Sequence, residues 1–482
     1  MNRLQFADLP SMNRRDALSR VACGFGSFAA MAIAARARPA YAVNEAINGS
    51  VSLDHPAKAK RVIFLFMQGG VSQVDSFDYK PELARRDGEQ ISFDDARTVA
   101  KTGQRGSKQR LMQSPWKFSQ HGECGRQVSE LFPETAKHSD KLCMLHAMHT
   151  EGVAHGPATL FLHCGSTNFV RPSFGSWAYY GLGTENENLP GFISIAPSIG
   201  NGGARNYGSA FLPPQFQGTR IGGASDSNIS IANLDRSDVS LSERQSQLDL
   251  LASINQSQLA AKRGADDRLD AVIQSYELAA RMQTVGPDTL NLDQETEATQ
   301  ERYGLNDPAT RVYGQRCLLA RRLCESGVRF VQVNYGDNTA NPAWDQHSNL
   351  PRHADHAKAV DQPIAALLQD LDERGLLEDT IVWWGGEFGR TPYAQDNGTG
   401  RDHNPGGFTS WVAGGGFKPG FAYGETDEFG FQGIQGKVHM HDLHATFLHQ
   451  LGLDHEQLTY RFAGRDFRLT DVHGRVVKDI LA

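Results

Sequence analysis

Thr380-Ile381-Val382-Trp383-Trp384-Gly385-Gly386-Glu387-Phe388-Gly389-Arg390 is a short apolar run that stops at glycines and continues into charged residues. Such a run reads as a central strand buried on both faces. Arg61-Val62-Ile63-Phe64-Leu65-Phe66-Met67, followed by Gln68-Gly69-Gly70, has the same form, and Leu142–Met148 and Phe192–Ala196 give two more candidates. Helical patterns lie between and beyond these strands. Arg311 to Glu325 is predicted to stop at Gly327 and to lead into a strand over Val328–Val333. Asp361 to Arg374 stops at Gly375, and Asp442 to Leu451 stops at Gly452, the glycine position that commonly ends a helix. Strands that alternate with helices predict an α/β fold with a mostly parallel central sheet and helices on both faces. Residues 241–302 break the alternation. They are rich in Gln, Ala, Leu, Asp and Arg, with helical spacing in Leu248, Leu251, Ile254 and in Leu269, Val272, Ile273, Leu278, which predicts a helical insertion. Residues 43–482 are read as one α/β domain carrying it.

Residues 1–42 have a different character. They hold Arg3, Arg14, Arg15, Arg20, Arg36 and Arg38 against only Asp8 and Asp16. The pair Arg14-Arg15 precedes a small apolar run from Val21 to Ala35, and Ala40-Tyr41-Ala42 has the form of a cleavage site. This is the pattern of a twin-arginine export signal, and its apolar run is shorter than the ~20 residues of a membrane span. No later stretch approaches a span. The reading places the protein outside the cytoplasmic membrane, periplasmic or extracellular. The whole chain has 482 residues and a formal charge of −7, and losing the Arg-rich segment makes it more acidic. An acidic chain is a poor partner for nucleic acid, whose phosphates require a basic face. After Cys23, the five remaining cysteines are odd in number and without CxxC spacing, which argues against a disulfide framework or a thiolate zinc site.

Ligands of open α/β sheets bind beyond the carboxyl ends of the strands. The residues there are chemically alike. Gly69, Gly70, Ser72, Asp75 and Asp78 follow the first strand, and His149, Thr150, Glu151 and His155 follow the second. Asn334, Asp337, Asp345 and His347 follow Val333, and Glu387, Arg390, Asp402 and His403 follow Trp384. Fourteen of the 17 histidines fall in 138–163, 347–356, at 403 or in 439–455, so they cluster in the same loops. Oxygen and imidazole donors suit a divalent cation such as zinc, manganese, magnesium or calcium. Arg390 or Arg401 would steady developing negative charge, or else pair with Glu387 or Asp402.

Gly385-Gly386-Glu387-Phe388-Gly389-Arg390-Thr391-Pro392 with Gly400-Arg401-Asp402-His403 resembles the exported, sulfatase-like family catalogued as domain of unknown function 1501. So do Gly69–Asp78, Trp344-Asp345-Gln346-His347 and Val438–Thr446. The resemblance implies the alkaline phosphatase–sulfatase superfamily and metal-assisted attack on sulfate or phosphate esters, of small molecules or polysaccharides. It implies Asp345 and His347 as a metal-ligand pair. It puts Glu387 where an Asp-His pair would begin, with Phe388 in place of the histidine, and likens His403 to a histidine of cofactor-independent phosphoglycerate mutases. The first strand ends in Met67-Gln68, where the superfamily has a metal-binding aspartate, so Asp75 or Asp78 would substitute. No C-x-P-x-R or S-x-P-x-R occurs, which removes the formylglycine nucleophile. Thr150, followed by His155, resembles the nucleophile region of phosphodiesterases, and Ser72 is the other candidate hydroxyl. Asp442-Leu443-His444-Ala445-Thr446 resembles a structural helix, with His444 and His449 read as packing residues.

The expected centre thus comprises Thr150, His155 and Arg390 as catalytic groups and Asp75, Asp345, His347, Glu387 and His403 as metal ligands. The leading reading is an exported metal-dependent ester hydrolase. The alternatives are a non-catalytic binding or scaffolding protein that keeps the fold, and a metal-dependent phosphomutase or transferase.

Overall fold

The computed structural model describes residues 53–93, 108–226 and 288–482, apart from 340, 396 and 397, with a few residues between 243 and 282. The export segment and most of the 241–302 insertion lie outside the described residues. In chain order the strands that build the site are β1 (Arg61–Met67), β2 (Leu142–His149), β3 (Phe192–Ile195), β4 (Thr219–Ile221), β5 (Phe330–Tyr335), β6 (Thr380–Gly385), β7 (Gly389–Ala394), β8 (Arg401–Asn404), β9 (Phe408–Ala413), β10 (Ala422–Tyr423) and β11 (Val438–His439). The longer helices are α1 (His155–Cys164), α2 (Phe174–Leu182), α3 (Arg311–Glu325), α4 (His353–Glu373) and α5 (Met440–Gln450).

Nine strands form the main sheet in the order β10-β2-β9-β6-β1-β5-β3-β4, with β11 also pairing with β2. Strand β1 is parallel to β6 and β5, and β3 is parallel to β5 and β4. Only β9 runs the other way, antiparallel to both β6 and β2. The carboxyl ends of β1, β2, β5 and β6 therefore share one edge of the sheet. The mostly parallel α/β sheet expected from the sequence is the observed fold.

The period of two along β1 divides the core. Val62, Phe64 and Phe66 pack in a cluster with Phe161, Trp177, Leu443 and Phe447, so α1, α2 and α5 cover that face. Ile63, Leu65 and Met67 pack with Cys317, Leu318, Val360 and Leu367 of α3 and α4 on the other. All seven β1 residues are buried, and each large apolar side chain removed from water contributes about 1.5–3 kcal/mol. Phe64 stacks on Trp383 at 3.7 Å between ring centroids, which fixes β1 against β6. The three glycine stops hold, with Gly327 at φ +87°, Gly375 at φ +67° and Gly452 at φ +80°. His444 is buried with Nε2 2.9 Å from the Leu162 carbonyl, a packing role. All five cysteines in the described residues are free.

Several boundaries differ from expectation. Helix α4 begins at His353, eight residues before Asp361, because the inward side of its first turns carries His353 and His356, which pack beside Trp344 and Tyr335 where apolar residues would otherwise mark the core face. Strand β5 runs Phe330–Tyr335, two residues later than Val328–Val333. Arg401–Asn404, read as loop, forms the buried strand β8, paired antiparallel with β7. Among the described residues no helix is long and apolar enough to cross a membrane.

Candidate metal centre

Each functional side chain sits just beyond a strand end. His155 is the first residue of α1, on the connection that leaves β2. Asp345 and His347 lie on the loop after β5, and His403 lies in β8, which folds back against β7 after β6. One ligand atom from each of His155, Asp345, His347 and His403 falls within 4.8 Å of all the others. Asp345 Oδ1 is their common point, 3.1 Å from His155 Nε2, 2.8 Å from His347 Nε2 and 3.3 Å from His403 Nε2. The Nε2 atoms of His347 and His403 are 3.0 Å apart.

The far side of each ring is spoken for. His155 Nδ1 lies 2.6 Å from Glu387 Oε1, His403 Nδ1 lies 2.9 Å from the Val153 carbonyl, and His347 Nδ1 meets Gln395 Oε1. Three acceptors at three Nδ1 atoms put the protons there and leave the Nε2 lone pairs facing inward, as in metal-ligating histidines. Three inward lone pairs around one carboxylate oxygen repel unless a positive charge lies among them. His155 Nε2 is buried and, despite its closeness to Asp345, has no hydrogen-bond partner. The donor spacings also match a small cation, since the edges of a tetrahedron with bonds of about 2.0–2.1 Å are about 3.3 Å. The four residues fit a divalent metal ion. Three imidazoles and one carboxylate suit zinc or manganese better than calcium or magnesium, which take mainly oxygen donors.

Electrostatics support the same reading. Burial opposes charge on Asp345, but the three histidines and Arg390 outweigh it and hold its carboxyl far below the usual range. Burial also disfavours a charged His155, yet Asp345 and Glu387 together raise its pKa. Burial, with Arg390, His155 and His347 nearby, lowers His403 to about 4 against the pull of Asp345. Cation and proton therefore compete for His155. Metal affinity is expected to rise with pH, by about tenfold per unit below the raised His155 pKa, in a chelator-competition titration.

The other expected residues are placed differently. Glu387 is fully buried, and both its carboxylate oxygens accept from the Gly69 amide, at 2.9 and 3.1 Å. It orients His155 from behind and lies outside the four-residue group. Only glycine fits at 69: its φ is +115°, and a Cβ there would lie 2.7 Å from the Trp344 nitrogen. Glu387→Gln is expected to weaken metal binding about 10–100-fold while the protein stays folded. Chelator competition beside circular dichroism checks this, and an unchanged affinity would count against the orienting role.

Asp75 is not in the group either. It forms a two-pronged pair with Arg401, at 2.7 and 3.1 Å, and accepts from Ser72 Oγ at 2.5 Å. That commitment also occupies Ser72. Asp78 accepts from Thr426 Oγ1 at 2.5 Å, and lies 3.1 Å from Lys80. Arg390 is fully buried. It donates to Asp345 at 2.7 Å and to the carbonyls of Gly69, Gly70, Trp344 and Arg401, so its donors are directed into the protein. Phe388 packs on His155 and His403, with ring centroids 5.0 and 4.4 Å away, as an apolar wall beside the cluster.

A cavity of about 420 Å³ opens onto the cluster. Beyond the four residues it is lined by Ala154, Gly156, Asn201, Asn341 and Gln395. Thr150 is not among them, and its hydroxyl is buried without a partner. Sequence reading missed Asn201 and Gln395. Neither follows an apolar strand run directly, and only the amide chemistry of Asn201-Gly202-Gly203 marks its loop.

Fold and site together define an α/β protein with a three-histidine, one-aspartate cluster at the carboxyl edge of its sheet. The chain belongs to the family described as protein of unknown function (DUF1501), which matches residues 59–481. No curated protein matches the sequence. Solved structures to which it is similar include the lipoteichoic acid synthase LtaP from Listeria monocytogenes, 8% identical over 89% of this chain and 78% of that one, TM-score 0.36. The PsFucS1 sulfatase from Pseudoalteromonas sp. is 12% identical over 82% of this chain and 68% of that one, TM-score 0.36. A TAB5 alkaline phosphatase mutant with bound Mg is 10% identical over 84% of this chain and 100% of that one, TM-score 0.34. Likeness at this level transfers no role to any residue.

Proposed function

We propose that the protein is an exported metal-dependent hydrolase of sulfate or phosphate esters, with residues 43–482 as its working domain after a twin-arginine signal. The observation that carries this is the convergence of three imidazole Nε2 atoms on Asp345 at the floor of an open cavity. The family resemblance of its loop motifs supplies the ester chemistry. His155, Asp345, His347 and His403 would hold one divalent cation. Such a cation polarises an ester oxygen and lowers the pKa of water. Glu387, the Val153 carbonyl and Gln395 keep the three rings turned inward, and Arg390 fixes the Asp345 carboxylate. No hydroxyl or thiol side chain among the described residues lines the cavity, so water, rather than Thr150 or Ser72, is the attacking group. That also disfavours the mutase reading, which needs a group to carry the phosphoryl.

One observation favours the non-catalytic alternative. Four protein side chains would be enough to satisfy a zinc ion by themselves, as in structural zinc sites, whereas catalytic sites keep a position open. The exposed side of His347, 26% accessible, and the cavity beside it favour catalysis, since a substrate could reach the cation that these residues would hold. The test is turnover of aryl sulfates and phosphates by zinc- and manganese-loaded protein. Hydrolysis lost in His403→Ala supports the hydrolase. Full metal occupancy with no turnover across both ester classes would establish the binding protein instead.

A further inference from the structure

The groups around the cluster, counted by charge, bear on which ester it takes. Directly behind the three imidazoles stand Glu387, 2.6 Å from His155 Nδ1, and Asp402, 3.8 Å from His347 Nδ1. Arg390 stands 2.7 Å from Asp345. A divalent cation with neutral imidazoles, the carboxylates of Asp345, Glu387 and Asp402, and one guanidinium sum to no net formal charge. No Lys or Arg among the described residues lines the cavity. The two nearby arginines, Arg390 and Arg401, are fully buried and face carboxylates and carbonyls. A doubly charged ester would be drawn from water into a site where no described side chain is cationic, and uncompensated charge is costly to desolvate.

Asn201 supplies the polar contact. It lines the cavity, and its Nδ2 has no acceptor among the described residues. Its φ is +46°, the left-handed region, where a non-glycine residue needs its surroundings to hold it. They do so: Asn206 Nδ2 donates to the Asn201 carbonyl at 3.1 Å, Ser198 Oγ donates to the Asp337 carbonyl at 2.6 Å, and the Ile199 amide donates to Asn338 Oδ1 at 3.0 Å. The loop after β3 is thereby tied to the loop after β5, which carries Asp345 and His347. A buried amide donor left unpaired in a held, strained backbone points to an acceptor from outside the chain.

We infer that the cavity selects an ester carrying at most one negative charge, and that Asn201 Nδ2 donates to an oxygen of that ester as a specificity-determining residue. This rests on the hydrolase reading of the same site. Two ester classes share the chemistry, a sulfate monoester and a phosphate diester.

The test is calorimetric binding to zinc-loaded protein at pH 8 of phenyl sulfate, methyl phenyl phosphate and phenyl phosphate, which share the phenyl group and differ in charge. Metal content is measured in each sample. One or both singly charged esters are expected to bind at least about tenfold tighter than phenyl phosphate. Which one binds tells sulfate from diester. Asn201→Gly keeps the left-handed backbone and removes the amide, and it is expected to weaken that binding about tenfold with metal content unchanged. Phenyl phosphate binding as tightly as the other two, or unaltered binding in Asn201→Gly, overturns the inference. Loss of metal from the parent protein would instead overturn the hydrolase reading on which it rests.

Discussion

Asp345→Asn and His403→Ala are each expected to reduce bound metal from about one equivalent per chain to none, measured by elemental analysis of dialysed protein. Asp345 is the only carboxylate in the cluster and the point on which all three Nε2 atoms converge. Asparagine keeps its shape but removes the charge that draws a dication between three neutral rings. His403 contributes a ring that is 4% exposed and held by the Val153 carbonyl, so its truncation removes one of the four preset ligand atoms. Both variants should stay folded. In Asp345→Asn, Arg390 loses its counter-charge, at a cost in stability, but keeps the amide oxygen and four carbonyl acceptors, those of Gly69, Gly70, Trp344 and Arg401. The parent should also unfold at higher temperature with metal than with chelator, because a ligand held at a hundred times its dissociation constant adds about 2.7 kcal/mol. That difference should vanish in both variants. Metal retained by both would remove the cluster as the binding site.

The second large effect concerns stability. Asp75→Ala is expected to cost about 3–5 kcal/mol in denaturant unfolding, because it strands the Arg401 guanidinium without a counter-charge. Both residues of this pair are fully buried. Arg401 would keep only carbonyl partners, at Thr391, Met112 and Gln113, between 3.0 and 3.4 Å. Ser72 would lose its acceptor as well. The damage should reach the centre, since Arg401 begins the strand in which His403 stands two residues on. Replacing both partners by apolar residues, as in Asp75→Leu with Arg401→Met, is expected to recover most of the loss, because no buried charge is then left alone. A single substitution costing under about 1 kcal/mol would show that the pair is not what holds β8 against the β1 loop.

The main sheet was legible because its parallel strands are buried on both faces and read as unbroken apolar runs, as β1 and β6 do. Strand β9 was not. Its sequence, Phe408-Thr409-Ser410-Trp411-Val412-Ala413, carries hydroxyls whose partners are distant in the chain: Ser410 Oγ donates to the Trp384 carbonyl and accepts from Trp383 Nε1 at 2.9 Å. The hairpin of β7 and β8 escaped for the same reason on a larger scale. Arg-Asp-His-Asn at 401–404 has the polarity of a surface turn, yet all four residues are buried because Asp75, Asp345 and Thr391 meet them from other segments. Periodicity reports burial only where burial is apolar.

The candidate site shows the same division. Asp345, His347 and His403 stood in motifs, and the structure brings them together. His155 was singled out beside Thr150 as a catalytic group, and the structure joins the histidine to the cluster while leaving the threonine hydroxyl outside the cavity. Asp75 and Glu387 followed strand ends as ligands should, but a carboxylate in that position can equally bind an arginine, or a backbone amide and an imidazole. Which it does depends on Arg401 and Gly69, more than 300 residues away along the chain in each case. Strand-end position marks the neighbourhood of a site, and only three-dimensional partners separate the groups that face the cavity from those that hold them in place.

The most direct test of the four-residue centre is an anomalous-scattering crystal structure of the exported, zinc-loaded protein, collected on both sides of the zinc absorption edge. A single strong peak enclosed by the Nε2 atoms of His155, His347 and His403 and a carboxylate oxygen of Asp345 is the expected result. A fully occupied zinc at other residues, or none in protein whose four side chains are ordered as described, would contradict the assignment.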